Sequence, residues 1–354
     1  MTGSTSVARP ALAIVALLIA ACGTDTGAPD TASVEPAPQP EIEASPAPST
    51  PDRPLTVFDT EGPLAIRPVM EAWRAEGGAR FAIAESDYNT PFPEATDVLV
   101  AGSMVKLWEF AEEDKLRPVF SPDIEGRIND TFRDPESRWV GLSYRARVVV
   151  VNAELAGEEE LGSIESYASL GDERWRDRLC LSSSRVDGNR LLVAWLIRRH
   201  GEREAELIVR RWRANLPNGF VEANDEAVFA KISAGECAIG LIDSDRLAAA
   251  KNSSNVLPLW FGEPGLTLID ISGAGVSRHA ANPDTARALI EWLSTAGASA
   301  FFAASRNEFP TNADAATSNV IAEWEANAQA TFAIAELGFL LQQAELLAER
   351  AGYP

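Results

Sequence analysis

The sequence predicts an α/β protein in which mostly parallel sheets are flanked by helices. Two observations carry that expectation. Short runs of β-branched and aliphatic residues alternate with longer stretches of helical apolar spacing. About 300 residues follow a polar, proline-rich tract near the start, enough for two domains of ordinary size. No internal repeat is present.

Leu55-Thr56-Val57-Phe58 reads as the first strand. Leu64 to Glu76 follows with Leu64, Ile66, Val69, Met70 and Trp73 at helical spacing. Asp97 to Val100 reads as a second strand and Val105 to Glu113 as a helix. Arg147 to Val151 is a strong strand, and Arg178 to Leu181 another. A Ser/Gly turn then leads into a helix from about Asn189 to Arg199. Glu202 to Asn215 and Glu226 to Ser233 read as helices, and Ala238 to Ile242 as a buried strand. Leu266 to Ile271 is a strand, Thr285 to Ser294 a helix, and Ala330 to Glu349 a long final helix.

The start of the chain reads as an export signal. Arg9 supplies a short positive region, and Ala11 to Ala21 is apolar and uncharged. A spanning helix needs about 20 apolar residues, so this run is too short to cross a bilayer. It ends in Ile19-Ala20-Ala21-Cys22, which resembles a bacterial lipobox and predicts cleavage after residue 21 and acylation of Cys22. Acyl chains bind a membrane by burying methylenes, so the protein would be tethered rather than inserted. Residues 22–53 are rich in Pro, Ala, Ser, Thr and acids and cannot bury enough surface to offset ordering. They read as a stalk.

The net charge of -21 works against nucleic acid and anionic lipid as partners, and no basic cluster breaks the pattern. Cys180 and Cys237, the other two cysteines of an exported chain, favour a disulfide over two buried thiols. His200 and His279 both read as structural. There is no GxSxG elbow, P-loop, HExxH or GxGxxG, and the only nucleophile cluster, Ser182-Ser183-Ser184, has no histidine nearby in sequence.

Several blocks, taken in order, resemble the iron(III)-type periplasmic solute-binding proteins of ABC importers. They are Leu55 to Phe58, Asp97 to Val100 with Leu107-Trp108, Trp139 to Val148, and Arg178 to Ser184. Gly235-Glu236-Cys237, Ile271 to Val276 and Asn307-Glu308-Phe309-Pro310 complete the set. The resemblance implies a two-lobe fold of class II type with a hinge of two crossing strands and solute held between the lobes. Lobe one would comprise 55–142 plus about 270–354, with the C-terminal helices, and lobe two 143–269. It also implies a permease and its ATPase as partners, and a place on the periplasmic or cell-surface face of the envelope. The protein would be a monomer and not an enzyme. Any metal ion, Fe(III) or another hard cation, would be transported solute rather than cofactor.

Members of that family hold Fe(III) mainly with tyrosine phenolates, sometimes with a histidine. Here the matching positions are altered. Asp59-Thr60-Glu61-Gly62-Pro63 follows the first strand, Gly188 stands between Asp187 and Asn189, and Asp243-Ser244-Asp245-Arg246 follows the later strand. None of Tyr88, Tyr144, Tyr167 and Tyr353 falls at a ligand position. Three readings stay open. In one, carboxylates of Asp59, Glu61, Asp187 and Asp245 hold a hard cation. In another, Arg145, Arg185 and Arg246 hold an anion together with Ser183, Ser184 and the helix start at Asn189. Ser103 and Asp243 join these residues as candidate solute contacts, and in the third reading the polar residues are a solvated rim with no assigned solute. Against direct contact stand ordinary roles: Asp59 and Asp243 as helix caps, Arg145 and Arg147 paired with acids across the hinge, Trp108 and Trp260 as core. A sensor or adaptor that reuses the fold without transport is the alternative function. A hydrolase using Ser183 or Ser184 is more remote.

Overall fold

A computed structural model describes residues 53–86, 90–250, 255–263 and 265–354. The export signal, Cys22, nearly all of the stalk and Tyr88 lie outside the described residues.

Among the described residues, ten strands form one mixed sheet system. They are β1 (Leu55–Asp59), β2 (Phe81–Ile83), β3 (Val98–Ala101), β4 (Leu116–Arg117) and β5 (Val140–Asn152). Then come β6 (Leu179–Cys180), β7 (Ile239–Asp243), β8 (Val256–Leu259), β9 (Ile269–Ser277) and β10 (Phe309–Pro310). The order is β2-β1-β3-β9-β5-β7-β6, with β4 on β9 and both β8 and β10 on β5. Pairing is parallel only towards the two edges, β2-β1-β3 and β6-β7. The central strands β9 and β5 run antiparallel to their neighbours, so the sheets are mixed rather than mostly parallel.

The architecture turns on β5. Its first half, through Ala146, pairs with β9, while its second half, from Arg147, pairs with β7 and β8. One strand thus belongs to both sheets. All thirteen of its residues are buried, as are all nine of β9. Of these strands the sequence reading delimited Arg147 to Val151 and Leu266 to Ile271. Small and polar residues hide the rest. A Cβ at Gly273 would stand 2.3 Å from the Val140 carbonyl oxygen, so close strand packing demands glycine in a stretch that reads as loop.

Helices cover the sheets where their apolar stripes dictate. Pro63 presets the first turn of the helix Pro63–Ala75, and Ile66, Val69, Met70 and Trp73 face inward, while Leu64 stays exposed. The helix Glu202–Asn215 has the predicted bounds, burying Ala205, Ile208, Val209 and Trp212. Alternation along β1 and β3 divides their side chains between two cores. Val57, Val98 and Val100 join one with Met70, Leu289 and Phe302. Phe58 and Leu99 join a larger one that continues through Val148 to Val151, Leu192 and Trp212.

The predicted final helix is a correction. Residues Ile334–Leu340 form a 3-10 helix, and the α-helix spans only Leu341–Ala351. The cause is packing: a Cβ on Gly338 would lie 2.1 Å from the Trp108 ring, and Phe339 meets the same ring edge-on at 4.6 Å. The helix Ala296–Ser305, rich in alanine and without a clear apolar stripe, is one the sequence reading missed.

Candidate functional site

The strands end in charge where the two sheets meet. Arg145 lies on β5 just before that strand passes from one sheet to the other. Its Nε donates to Asp243 Oδ2 at 2.9 Å, its Nη2 to Asp270 Oδ2 at 3.0 Å and its Nη1 to Glu308 Oε1 at 3.1 Å. Nη1 also donates to the Gly102 carbonyl. Asp243 closes β7, Asp270 sits on β9, and Glu308 precedes β10, so one guanidinium ties together four segments. Ser143 and Ser272 hydroxyls complete the shell of Glu308.

Arg147, two residues on, repeats the pattern on the other side. It is fully buried and pairs with Asp225, with Asp243 Oδ1 at 3.0 Å and with Asn189 Oδ1 at 2.7 Å. Asn189 also donates to the Ser182 carbonyl at 2.9 Å. Asp243 therefore bridges two arginines. Burial raises its pKa, but Arg147 and Arg145 outweigh that and hold it below the ordinary carboxyl value. The expectation that Arg145 and Arg147 pair with acids at the hinge describes this arrangement.

Asp59, at the end of β1, is completely buried and bonded to Arg306 at 2.5 Å. It neither caps the following helix, whose N-cap is Gly62, nor lines an open crevice. Asp243 is the N-cap residue of the helix Ser244–Ala249 but makes no side-chain capping bond. Ser103 caps the helix Met104–Glu112 through a bond from the Val105 N–H at 3.1 Å. Asp187 is buried at the start of the helix Asp187–His200.

Accessible charge gathers at the rim. Arg246 reaches Glu226 at 3.2 Å, Asp245 at 3.4 Å and Glu61 at 3.5 Å. Ser183, Ser184 and Arg185 are elsewhere. The Ser183 hydroxyl and the Ser184 N–H both donate to the Pro354 carbonyl, at 2.9 and 2.8 Å. Ser184 and Arg185 line a separate surface cavity of about 380 Å3 with Arg190, Glu345 and Tyr353. The proposed anion set of Arg145, Arg185, Arg246 and these serines is therefore not brought together. Nor is the four-carboxylate set: Asp59 belongs to Arg306 and Glu61 to Arg246. Among the described residues, no three His, Cys, Asp or Glu side chains converge to hold a metal ion. The phenols of Tyr167 and Tyr353 donate to the carbonyls of Arg147 and Ser182, and Tyr144 stacks between Phe132 and Phe309. Trp108 is core, and Trp260 packs half-buried against the same core while lining a cavity with Trp324.

Sequence reasoning missed Asp225, Glu226, Asp270, Arg306 and Glu308 as site residues. Glu308 and Asp270 stood inside or beside resemblance blocks, but nothing local marks a buried acid that has a distant arginine for partner.

Across hub and rim, the carboxylates of residues 59, 61, 225, 226, 243, 245, 270 and 308 face only four guanidiniums, those of 145, 147, 246 and 306. The excess is felt. Burial pushes Asp245 up to about 7 despite Arg145, and pushes Asp270 and Asp59 up to about 6 despite Arg145 and Arg306. Each therefore keeps a proton in the folded protein that the unfolded chain gives up near the ordinary value of 3.8. With more protons bound in the folded state, stability falls as pH rises from about 4 to about 7. His200, whose pKa burial lowers from 6.5, acts in the opposite sense around that value. Asp245→Asn removes one of these raised carboxyls, so its melting temperature between pH 4.5 and 7.5 should fall less steeply than the wild type's. Parallel profiles would refute the assignment.

A buried ionic hub on a strand shared by two sheets is a junction built to join two halves around a charge. The chain belongs to the bacterial extracellular solute-binding proteins, whose family pattern matches residues 97–333. Iron uptake protein A1 of Synechocystis is similar at 29% identity over 270 residues, 73% of each chain. Iron uptake protein A2 of the same organism is 30% identical over 230 residues, 60% of this chain and 64% of its own. A Trichodesmium FutA (IdiA) in complex with iron and citrate superposes with a TM-score of 0.76 at 24% identity, covering 85% of this chain and all of that one. The apo ferric ion-binding protein A of Pasteurella haemolytica gives 0.76 at 20% identity, covering 85% and 98%. The fold is the two-lobe fold of these proteins, and family and fold are those of solute-binding proteins rather than enzymes.

Proposed function

We propose that this protein captures a hard, positively charged metal cargo, iron(III) or a similar ion, for an ABC permease and its ATPase. The single observation that carries the reading is the excess of carboxylates over guanidiniums at the junction, which favours a cation and disfavours a free anion. Glu61, Glu226 and Asp245 at the rim supply hard oxygen ligands. Because no three of the site's acids converge on a point, the cargo brings part of its own oxygen shell, as a metal bound to a small carboxylate would. Lobes of 55–142 plus about 270–354 and of 143–269 close on it. Cys22 carries the lipid anchor, on the periplasmic or cell-surface face, and the body acts as a monomer.

Titration of full-length protein with Mn(II), ferric citrate, phosphate and citrate tests this. The two metal additions should bind, and more tightly at pH 7.5 than at pH 5.5, because Asp245 must shed its proton to serve as a ligand. Uptake of phosphate or metal-free citrate in preference to metal would sink the reading. The filled Arg145 hub, which needs no solute, favours a second reading as an envelope sensor or adaptor. Binding of neither metal, with a receptor ectodomain co-purifying, would decide for it.

A further inference from the structure

Away from the junction, two buried N–H groups lack an acceptor. Trp139 is only 3% exposed, yet its Nε1 finds no hydrogen-bond partner among the described residues. The Nε of Arg133 is likewise buried and unbonded. Arg133 also forms no ion pair with any described carboxylate, in a chain whose net charge is -21. Buried donors of this kind are uncommon, because a bond left unmade keeps the full desolvation penalty.

Both residues line one cavity of about 20 Å3. Apolar walls come from Val140, which opens β5, from Ala274 on β9 and from Ile290 on the helix Pro283–Leu293. The other cation at the cavity, Arg138, is already taken by Asp134 and Glu112. The Ser121 hydroxyl there donates to Glu291 at 2.8 Å. Glu125 also borders the cavity, but it is exposed and solvated. Along β5, Val140 and Arg145 are roughly 16 Å apart at about 3.3 Å per residue, so the cavity is separate from the ionic hub.

We propose that this cavity binds a monatomic anion of the halide class, seated between the Trp139 and Arg133 N–H groups. The chemistry selects the charge. An indole N–H and a guanidinium only donate, so the occupant must accept from both. Arg133 also needs a counter-charge that no described carboxylate supplies. The volume selects the size. One water requires about 10–15 Å3 of cavity, so this space admits a single small ion and excludes phosphate, citrate and other polyatomic anions. A water fits as well, but it brings two hydrogens to mostly apolar walls and leaves Arg133 uncompensated. Trp139 directly precedes β5, and its carbonyl accepts from the Asp134 N–H at 3.2 Å, so the ion fixes the bend that feeds the shared strand. The site stands apart from the cargo reading and does not depend on it.

Thermal melting of the full-length protein in sodium chloride, bromide and gluconate at equal ionic strength tests the site, with bromide-soaked crystals to locate the ion. Either halide should raise the melting temperature saturably over gluconate, and the anomalous signal of bromide should lie between Trp139 and Arg133. Trp139→Phe should raise the half-saturating halide concentration about tenfold, the loss of one hydrogen bond to a charge. Arg133→Met should abolish the halide dependence. An indole that merely packs would lower the melting temperature of Trp139→Phe and leave the halide dependence as in wild type, which would overturn the site. A cavity that holds water alone in the bromide-soaked crystals would overturn it too.

Discussion

Arg145→Met should destabilise the protein by about 3–5 kcal/mol. The size follows from what the substitution leaves behind. Asp270 and Glu308 are 2% exposed and Asp243 is 7% exposed, and each takes a bond from this guanidinium. Methionine fills much of the volume but supplies no donor, so three carboxylates remain in a low dielectric with one fewer positive charge. Urea denaturation should show the midpoint falling with little change in slope. Arg145→Met combined with Asp270→Asn and Glu308→Gln should recover part of the loss, since the charges that need Arg145 are then gone. A single variant within about 1 kcal/mol of wild type would mean that solvent reaches the hub.

Loss of the bond between Cys180 and Cys237 should cost roughly 4 kcal/mol, from the entropy of a loop of 57 residues in the unfolded chain. Position matters as well as loop length. Cys180 is half of β6, a two-residue edge strand, and Cys237 stands just before β7, with which β6 pairs. Both are nearly fully buried. So short a strand has few ladder bonds of its own, and the cross-link holds it in register. Cys180→Ser with Cys237→Ser, or reduction of the native protein, should lower the urea midpoint to the same extent. An unchanged midpoint would show that β6 is held by packing alone.

The parts of the fold that could be read from sequence are those whose signal is local. The helix Glu202–Asn215 announces itself through apolar spacing, acids in its first turn and Arg213 in its last. β1, β3 and β7 are short aliphatic runs of ordinary strand type. What stayed hidden depends on partners distant in sequence. Gly273 and Gly275 look like loop residues until Val140 and Arg138 lie against them. What holds Tyr144 and Arg145 in the strand, Phe309 and the four carboxylates around Arg145, is remote in sequence. At the site, the residue types were legible but their grouping was not. Asp243, Asp245, Arg145 and Arg246 do meet, whereas Ser183 and Ser184 turn to Pro354 and Asp59 turns to Arg306. Which acid takes which base is decided by the fold, and no spacing rule encodes it.

The pairing of β3 with β9 has a consequence for how the chain is made. Val98 to Ala101 find their antiparallel partners at Gly273 to Val276, more than 170 residues later. A polypeptide emerging amino end first can dock β1, β2 and β3 early, but it must then hold an apolar, unsatisfied strand edge until most of the molecule has been synthesised. That interval is when the nascent protein is most open to pairing with the wrong neighbour. A holding chaperone on the route to its destination would have this edge as its natural client.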